Sequence, residues 1–313
     1  MARRKKGNPI NGWIVLDKRI GMTSTQAVGA VRRLYNAQKA GHAGTLDPLA
    51  TGILPLALGE ATKTVQFAVD GEKAYRFSVR WGAETNTDDA EGVVTRTSDK
   101  RPSFADIEAI LPHYIGAIMQ TPPQFSAIKI DGNRAYDLAR EGETVVLEPR
   151  AVVIDRLAIV DMPGDDTTVF EAECGKGTYV RAIARDLGRL LGCYGHVVAL
   201  RRTRVGPFSE DDAVTLAEIE AALAPKDAAV PLPDPASSGL LLPVEAALSD
   251  IAEIAVSPSD AATLARGQAV LIRGRDAPIM AGSAYAICKG RIVAIGEIDK
   301  GALQPTRVFN LGG

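Results

Sequence analysis

Gly41-His42-Ala43-Gly44-Thr45-Leu46-Asp47-Pro48-Leu49-Ala50-Thr51-Gly52-Ile53-Leu54-Pro55 is the stretch on which the reading of this chain turns. From Gly41 to Thr62, Asp47 and Glu60 are the only formally charged side chains. A carboxylate in so apolar a run must find partners or bear a desolvation cost, and proteins accept that cost mainly where the carboxylate works. Pro48 biases Asp47 away from the helical region. Gly41, Gly44 and Gly52 permit tight turns and the close approach of another molecule. The run therefore reads as a loop presenting one acid, not as a helix or a central strand. An Asx turn ahead of the proline would explain Asp47 alone; it leaves His42, the three glycines and the apolar flank without a reason.

The bulk properties are those of an ordinary soluble protein. The 313 residues are 46% apolar and 24% charged, enough for one to three domains with a sizeable core. The net charge of −2 points to no polyanion by itself, but the distribution does. The chain opens with the basic arm Ala2-Arg3-Arg4-Lys5-Lys6, and between Lys176 and Arg204 seven Lys/Arg (176, 181, 185, 189, 201, 202 and 204) face one acid, Asp186. Such asymmetry is the electrostatic footprint expected for nucleic acid. Cys174, Cys193 and Cys288 form no paired framework, which fits a reducing cytoplasm. Trp13-Ile14-Val15-Leu16 is cut off by Asp17-Lys18 and makes no signal core, and no stretch approaches membrane-spanning length. Histidines at 42, 113 and 196 are too scattered for a histidine-based metal site.

Along the chain, Trp13–Leu16 reads as a strand, and Ser24 as the N-cap of a helix through about Tyr35. Lys73–Trp81 alternates like a strand, with Tyr75, Phe77 and Val79 on one face. Gly82–Gly92, with Asp88, Asp89 and Glu91, reads as a polar loop in which a solvated turn is favoured over a Mg²⁺ site, and Val93–Thr97 as a strand. Ile107–Tyr114 reads as a helix, Tyr136–Arg140 as a short one, and Val152–Val160 and Thr168–Cys174 as strands. Tyr179–Leu191 is an amphipathic helix: Val180, Ile183, Leu187 and Leu190 form its apolar stripe, while Arg181, Arg185 and Arg189 recur on another face. His196–Val205 is a strand that puts Leu200 on the same face as Arg202 and Arg204. Ala221–Leu240, rich in Ala, Pro, Ser and Asp, suggests a linker. About 251–309 carries short strands, a helix at Pro258–Ala265 and glycine turns, the pattern of a small β-rich module.

These residues resemble the TruB family of tRNA pseudouridine synthases. The 41–55 stretch followed by Leu58-Gly59-Glu60-Ala61-Thr62-Lys63 is similar to that family's catalytic-aspartate motif, and Lys73-Ala74-Tyr75-Arg76-Phe77 to its second motif. Gly177-Thr178-Tyr179-Val180-Arg181 resembles its Gly-Thr-Tyr-x-Arg motif, and Lys18–Ser24 its N-terminal one. Pro122–Gly142 resembles its RNA-gripping insertion, and Gly296–Phe309 a PUA RNA-binding domain. One departure stands out: the family's Lys-Pro-x-Gly is Lys18-Arg19-Ile20-Gly21 here, so the support beneath Tyr75 differs.

The resemblance implies an α+β fold, a mixed and mainly antiparallel sheet with flanking helices, followed by a small PUA-like β-barrel. The implied domains are 1–238, with the RNA-gripping insertion at about 122–150, and 239–313. The implied reaction isomerises the tRNA T-arm uridine at position 55 to pseudouridine, with no metal, organic cofactor or guide RNA, in a cytoplasmic monomer. Asp47 is the expected nucleophile, since an anionic oxygen can attack the ring or trap the sugar cation. Arg181 is its expected charge partner, favouring the ionised carboxylate and fixing its direction. The target base must leave its stack and be stacked again, and the resemblance gives Tyr75 and Tyr179 that task. Tyr75 is also the candidate to take the C5 proton, although a phenol of pKa about 10 is a poor base at neutral pH. By resemblance His42 fills the space of the flipped base and Leu200 lines the uracil pocket, while Lys18, Arg202 and Arg204 are expected at the RNA. The rival readings are a non-catalytic RNA-binding or RNA-folding protein, a related enzyme that acts only within a guide-RNA complex and, weakest, a glycosidase, because hydrolysis normally needs a carboxylate pair.

Overall fold

The computed structural model describes residues 7–126, 129–130, 133–134, 147–224, 238–272 and 281–311. The short helix expected at Tyr136–Arg140 and much of the expected insertion lie outside them.

In chain order the elements are β1 (Gly12–Lys18), α1 (Ser24–Leu34), β2 (Ala40–His42), β3 (Thr51–Leu58), α2 (Val65–Asp70), β4 (Lys73–Trp81), β5 (Ala83–Thr85), β6 (Val94–Thr97), α3 (Phe104–Ile110) and β7 (Gly116–Gln120). A two-residue ladder joins β8 (Lys129–Ile130) to β9 (Asn133–Arg134). There follow β10 (Arg150–Gly164), β11 (Thr167–Cys174), α4 (Val180–Leu190), β12 (Gly195–Val205), β13 (Phe208–Ser209) and α5 (Leu216–Leu223). The C-terminal elements are β14 (Ala252–Ala255), α6 (Pro258–Ala265), β15 (Val270–Leu271), β16 (Gly282–Cys288), β17 (Arg291–Asp299) and β18 (Ala302–Val308).

One nine-stranded sheet organises the N-terminal part of the chain in the order β1-β3-β12-β4-β11-β10-β7, with β2 added to β3 and β13 to β12. All its pairings are antiparallel except β3 with β12, where Arg201 and Arg202 lie opposite Thr51 and Gly52. The fold is therefore the expected α+β mixed sheet. Alternation on β4 buries Phe77, Val79 and Trp81 on one face. The Phe77 and Phe170 rings stack at 5.4 Å, and the Trp81 indole donates to Thr168 Oγ1 at 2.9 Å. That sheet face, α1 and α4 share the largest apolar cluster.

The 41–55 stretch departs from expectation. Thr51–Leu58 is an interior strand, buried almost throughout and flanked by β1 and β12. A strand covered on both faces loses its alternation and reads as a plain apolar run. The loop is thus only Ala43–Ala50, hung between two strands. Helix α1 also starts one residue earlier in its capping than expected. Thr23 is the N-cap and makes a capping box with Gln26, which leaves Ser24 Oγ free to accept from Leu46 N–H at 2.9 Å and to donate to Leu46 O at 3.1 Å. Leu190, assigned to the apolar stripe of α4, is 56% exposed, because the helix is ending there.

The expected C-terminal β module is a five-stranded sheet, β14-β16-β17-β18-β15, that curls into a half-barrel with its own core around Leu264, Ala286, Ala294 and Leu303. Residues 241–248 bridge the two halves. Trp13 and Leu242 exchange backbone hydrogen bonds, and the Trp13 indole donates to Val244 O at 3.2 Å. A second apolar cluster runs from Trp13, Ile53 and Phe208 through Leu248 to Tyr285, Ile295 and Phe309.

Candidate active site

Four elements converge on the Ala43–Ala50 loop and hold Asp47 at its tip. From α1 comes the Ser24 pair just described. From the end of β1, the Lys18 ammonium, fully buried, donates to the carbonyls of Arg19, Met22 and Pro48 at 3.1, 2.8 and 3.5 Å. Burial lowers its pKa to about 8, although the nearby Asp47 pulls the other way. From β12, Arg202 lies under the loop, 2% exposed. Its guanidinium donates to Ile53 O at 2.8 Å, Gly44 O at 3.2 Å and Thr45 O at 3.3 Å. Gly52, at φ +95°, allows that approach: a Cβ there would sit 2.2 Å from Arg202 O.

The fourth element is α4. Arg181 Nε lies 2.9 Å from Asp47 Oδ2, and the Asp47 side chain is 34% exposed. The expected pair is therefore formed, with the carboxylate facing outward. The rest of the guanidinium is fully occupied: Nη1 donates to Thr87 O at 2.9 Å and lies 3.5 Å from Asp89 Oδ2, and Nη2 donates to Phe125 O at 3.0 Å. A bonded arginine with no free arm cannot swing away from Asp47.

The acids Asp88 and Asp89, read from sequence as a solvated turn, are instead buried. Asp89 accepts from Thr87 Oγ1 and from the Glu91 N–H while facing Arg181. Asp88 takes a left-handed backbone, φ +61°, and pairs with Arg185 at 3.0 Å. Burial outweighs that pairing and pushes Asp88 up to about 6. Arg185 also donates to Thr121 O at 2.7 Å, and Arg189 makes a two-pronged pair with Glu84 at 2.7 and 2.9 Å.

The arginine face of α4 is thus an internal ion-pair ladder, not a phosphate-binding surface. The other salt-bridging cations of the segment expected to meet nucleic acid are also paired, but at the surface. Lys176 pairs with Asp70 at 2.7 Å and Arg201 with Asp17 at 2.9 Å. Arg204 pairs with Glu173 at 2.9 Å and Glu72 at 3.3 Å. A β-bulge between Arg202 and Arg204 sends the two side chains different ways, so the shared face expected for Leu200, Arg202 and Arg204 does not hold. Arg202 and Lys18, both expected at the RNA, are consumed inside the protein by loop carbonyls.

Tyr75 and Tyr179 both come within electrostatic reach of Asp47. Tyr75 lies opposite Arg202 on the neighbouring strand. Burial raises the pKa of both phenols, and Arg202 pulls Tyr75 back only in part. Tyr179 is fixed through its backbone, which exchanges hydrogen bonds of 2.9 and 3.2 Å with the buried Gln120 amide. Leu200 is 7% exposed and lies across from Phe77 within the main core. His42 is kept neutral by burial, with Arg202 adding to the effect, and its Nδ1 is buried with no partner among the described residues. Arg19, where a proline was expected, is exposed. Among the described residues, no three His, Cys, Asp or Glu side chains are grouped as a metal site.

Sequence reasoning missed Ser24, Gln120, Asp88, Asp89 and Arg185 as parts of this framework. Only the double acid carried a signal. A capping-type serine and a lone glutamine at a strand end carry none.

Comparison with known proteins falls on the same motifs. Residues 32–180 match the family model described as TruB family pseudouridylate synthase (N terminal domain), and residues 181–249 match the tRNA pseudouridylate synthase B C-terminal domain. The chain is 58% identical to tRNA pseudouridine synthase B of Bradyrhizobium diazoefficiens, covering 100% of this chain and 91% of that protein. It is 56% identical to the protein of that name from Brucella anthropi, covering both in full. Among solved structures, an H/ACA RNP bound to a substrate RNA containing 2′-deoxyuridine aligns with a TM-score of 0.72 at 22% identity, over 99% of this chain and 92% of that one. At that identity the likeness is one of fold alone.

Proposed function

The chain belongs to the TruB family of pseudouridylate synthases, and on that premise we propose that it isomerises uridine to pseudouridine in tRNA, at position 55 of the T-arm. One observation carries the reading. Asp47 is a carboxylate in an apolar loop, pinned by Ser24, Lys18, Arg202 and Arg181, yet one-third exposed at its tip. Fixed charge at an open surface suits a nucleophile, because no reorganisation is needed when the substrate arrives.

The reaction breaks C1′–N1, turns the uracil, joins C1′ to C5, loses the C5 proton and gains one at N1, so that no atom is lost overall. Asp47 supplies the oxygen that attacks the ring or holds the sugar cation; Arg181 aims it through their 2.9 Å pair. Tyr75 and Tyr179 replace the stacking that the uracil loses on leaving the T-loop. Burial raises the pKa of the Tyr75 phenol, so Tyr75 serves as a stacking face, and its expected role as the C5 base requires that shift to be reversed with substrate in place. His42, neutral and with an unsatisfied ring nitrogen, suits the gap left by the extruded base. Leu200 offers an apolar wall on the same sheet. Arg204, half-exposed, reaches phosphate only by giving up Glu72 or Glu173.

We also propose that the chain acts as a cytoplasmic monomer with no guide RNA, its catalytic domain running to about residue 238 and its RNA-binding module following. Incubation with a T-arm stem-loop and no other RNA should yield pseudouridine at position 55. Absence of product, or product only when a guide RNA is added, would overturn the proposal.

A further inference from the structure

Strand β7 ends on a residue that its own face does not call for. Along Gly116–Gln120 the side chains alternate: Ala117 and Met119 are exposed, while Ile118 and Gln120 turn to the covered face. Ile118 packs against the main apolar cluster. Gln120, on the same side and 3% exposed, brings an amide where an apolar side chain would fill the space. A buried amide costs free energy unless both of its ends are bonded. Both ends of this one are bonded, and to a single residue 59 positions further along the chain. Gln120 Oε1 accepts from the Tyr179 N–H, and Gln120 Nε2 donates to Tyr179 O.

The grip falls where α4 needs one. Tyr179 is the N-cap of α4, with φ −107° and ψ 110°, and its own side chain makes no capping bond. An amide bonded to both main-chain groups of a residue holds it as a neighbouring strand would. That fixes the direction of the Cα–Cβ bond, and with it the ring. The residues that follow Gln120 hold the same end of the helix. Thr121 O accepts from Arg185, and Phe125 O accepts from the guanidinium of Arg181 that pairs with Asp47. The stretch 120–125 thus supports both the ring and the cation that α4 brings to Asp47.

We infer that Gln120 is a positioning residue for uridine isomerisation: its amide aims the Tyr179 ring at the extruded uracil, and it acts on the reaction through Tyr179 alone. This role rests on the pseudouridine synthase reading and on the stacking task given to Tyr179. A glutamine that only closed the end of the sheet would act on the rate in the same proportion whatever side chain stood at position 179.

The test is a double-variant cycle in single-turnover kinetics on the T-arm stem-loop, with Gln120→Met, Tyr179→Leu and the two combined. Methionine keeps the length of the side chain and removes both bonds. Gln120→Met should lower the rate about tenfold or more, the scale on which a misaimed group costs rate. In the Tyr179→Leu chain the same change should cost nothing further, because the ring that it aims is gone. Gln120→Glu supplies a pH profile. A neutral carboxyl can make both bonds; an ionised one has no proton to give to Tyr179 O, and burial raises its pKa. Its rate relative to wild type should therefore recover as pH falls from about 8 to about 5.5, with the fold followed by circular dichroism at each pH. That profile decides alone should Gln120→Met fail to fold or Tyr179→Leu be too slow to measure. A loss that persists in Tyr179→Leu, a wild-type rate in folded Gln120→Met, or a pH-independent ratio for Gln120→Glu would overturn the positioning role. A wild-type chain inactive on the stem-loop would instead overturn the synthase reading itself.

Discussion

Arg202→Met separates two roles for a deeply buried cation near Asp47. Arg202 is 2% exposed, and its donors are spent on the carbonyls of Ile53, Gly44 and Thr45. Methionine keeps much of the stem and removes every donor, leaving those carbonyls without their charged partner. Each hydrogen bond from a charged donor is worth ~1.5–3 kcal/mol net, but removing the cation also removes the cost of having buried it. Leaving buried acceptors unsatisfied costs ~1–3 kcal/mol, and with three carbonyls affected we take the upper end, about 3 kcal/mol. At ~2–4 °C per kcal/mol for a domain of this size, the melting temperature should fall by about 6–12 °C. Because the freed loop carries Asp47, kcat should drop as well. Affinity for tRNA, and the slope of its logarithm against the logarithm of salt concentration, should not change. Calorimetry and filter binding over a salt series measure both. An unchanged melting temperature with a salt slope shallower by about 1, the signature of one lost phosphate contact, would refute the loop-holding role and restore Arg202 to the RNA surface.

Asp47→Asn should lower kcat by about 1000-fold or more, equivalent to ~4 kcal/mol of lost transition-state stabilisation, with tRNA affinity retained in a gel-shift assay; activity within tenfold of wild type would remove Asp47 from the chemistry. Gly52→Ala puts a Cβ against the Arg202 carbonyl at a φ of +95° and should cost at least ~2 kcal/mol in urea denaturation; a neutral effect would mean that β3 and β12 can part. Lys18 has a folded pKa of about 8, below its value of 10.5 when unfolded, so the unfolded chain binds more protons between those values and the native state gains stability as pH rises from about 8 to 10.5. Lys18→Met should lack that share of the rise, and parallel stability curves for the two chains from pH 7.5 to 10 would show that the ammonium is not buried as described.

What the sequence made legible is the chemistry; what it hid is the bookkeeping of charge. Asp47 stood out because nothing near it in sequence could neutralise it, and Arg181 because a helix presented it. The seven cations between Lys176 and Arg204 misled because an arginine looks the same whether it meets a phosphate or a carboxylate. Apart from Asp186 beside Arg185, their carboxylate partners, among them Asp17, Asp70, Glu84 and Asp88, lie outside the segment, as far as 184 positions away for Arg201 and Asp17. Thr51–Leu58 was hidden for a different reason. An interior strand has no wet face, so its period-2 signal vanishes, and Pro55 argued further against it. Helix α4 and strand β4 were readable because each has one dry face and one wet or charged face.

The pinning of the Asp47 loop from both ends of the catalytic half also sets a timetable. Thr45 and Arg202 are 157 positions apart in the chain. At ~5–20 residues per second, the ribosome needs roughly 8–30 s to make the second after the first. Throughout that interval Leu46, Ile53, Leu54 and Leu56, all fully or almost fully buried at the end, have no β12 or α4 to cover them. β1 and β3 can pair at once as antiparallel neighbours, but the loop between β2 and β3 cannot close until Arg181 and Arg202 emerge. The catalytic centre is therefore among the last features to form, and a chain stopped short of β12 should be both inactive and prone to aggregate.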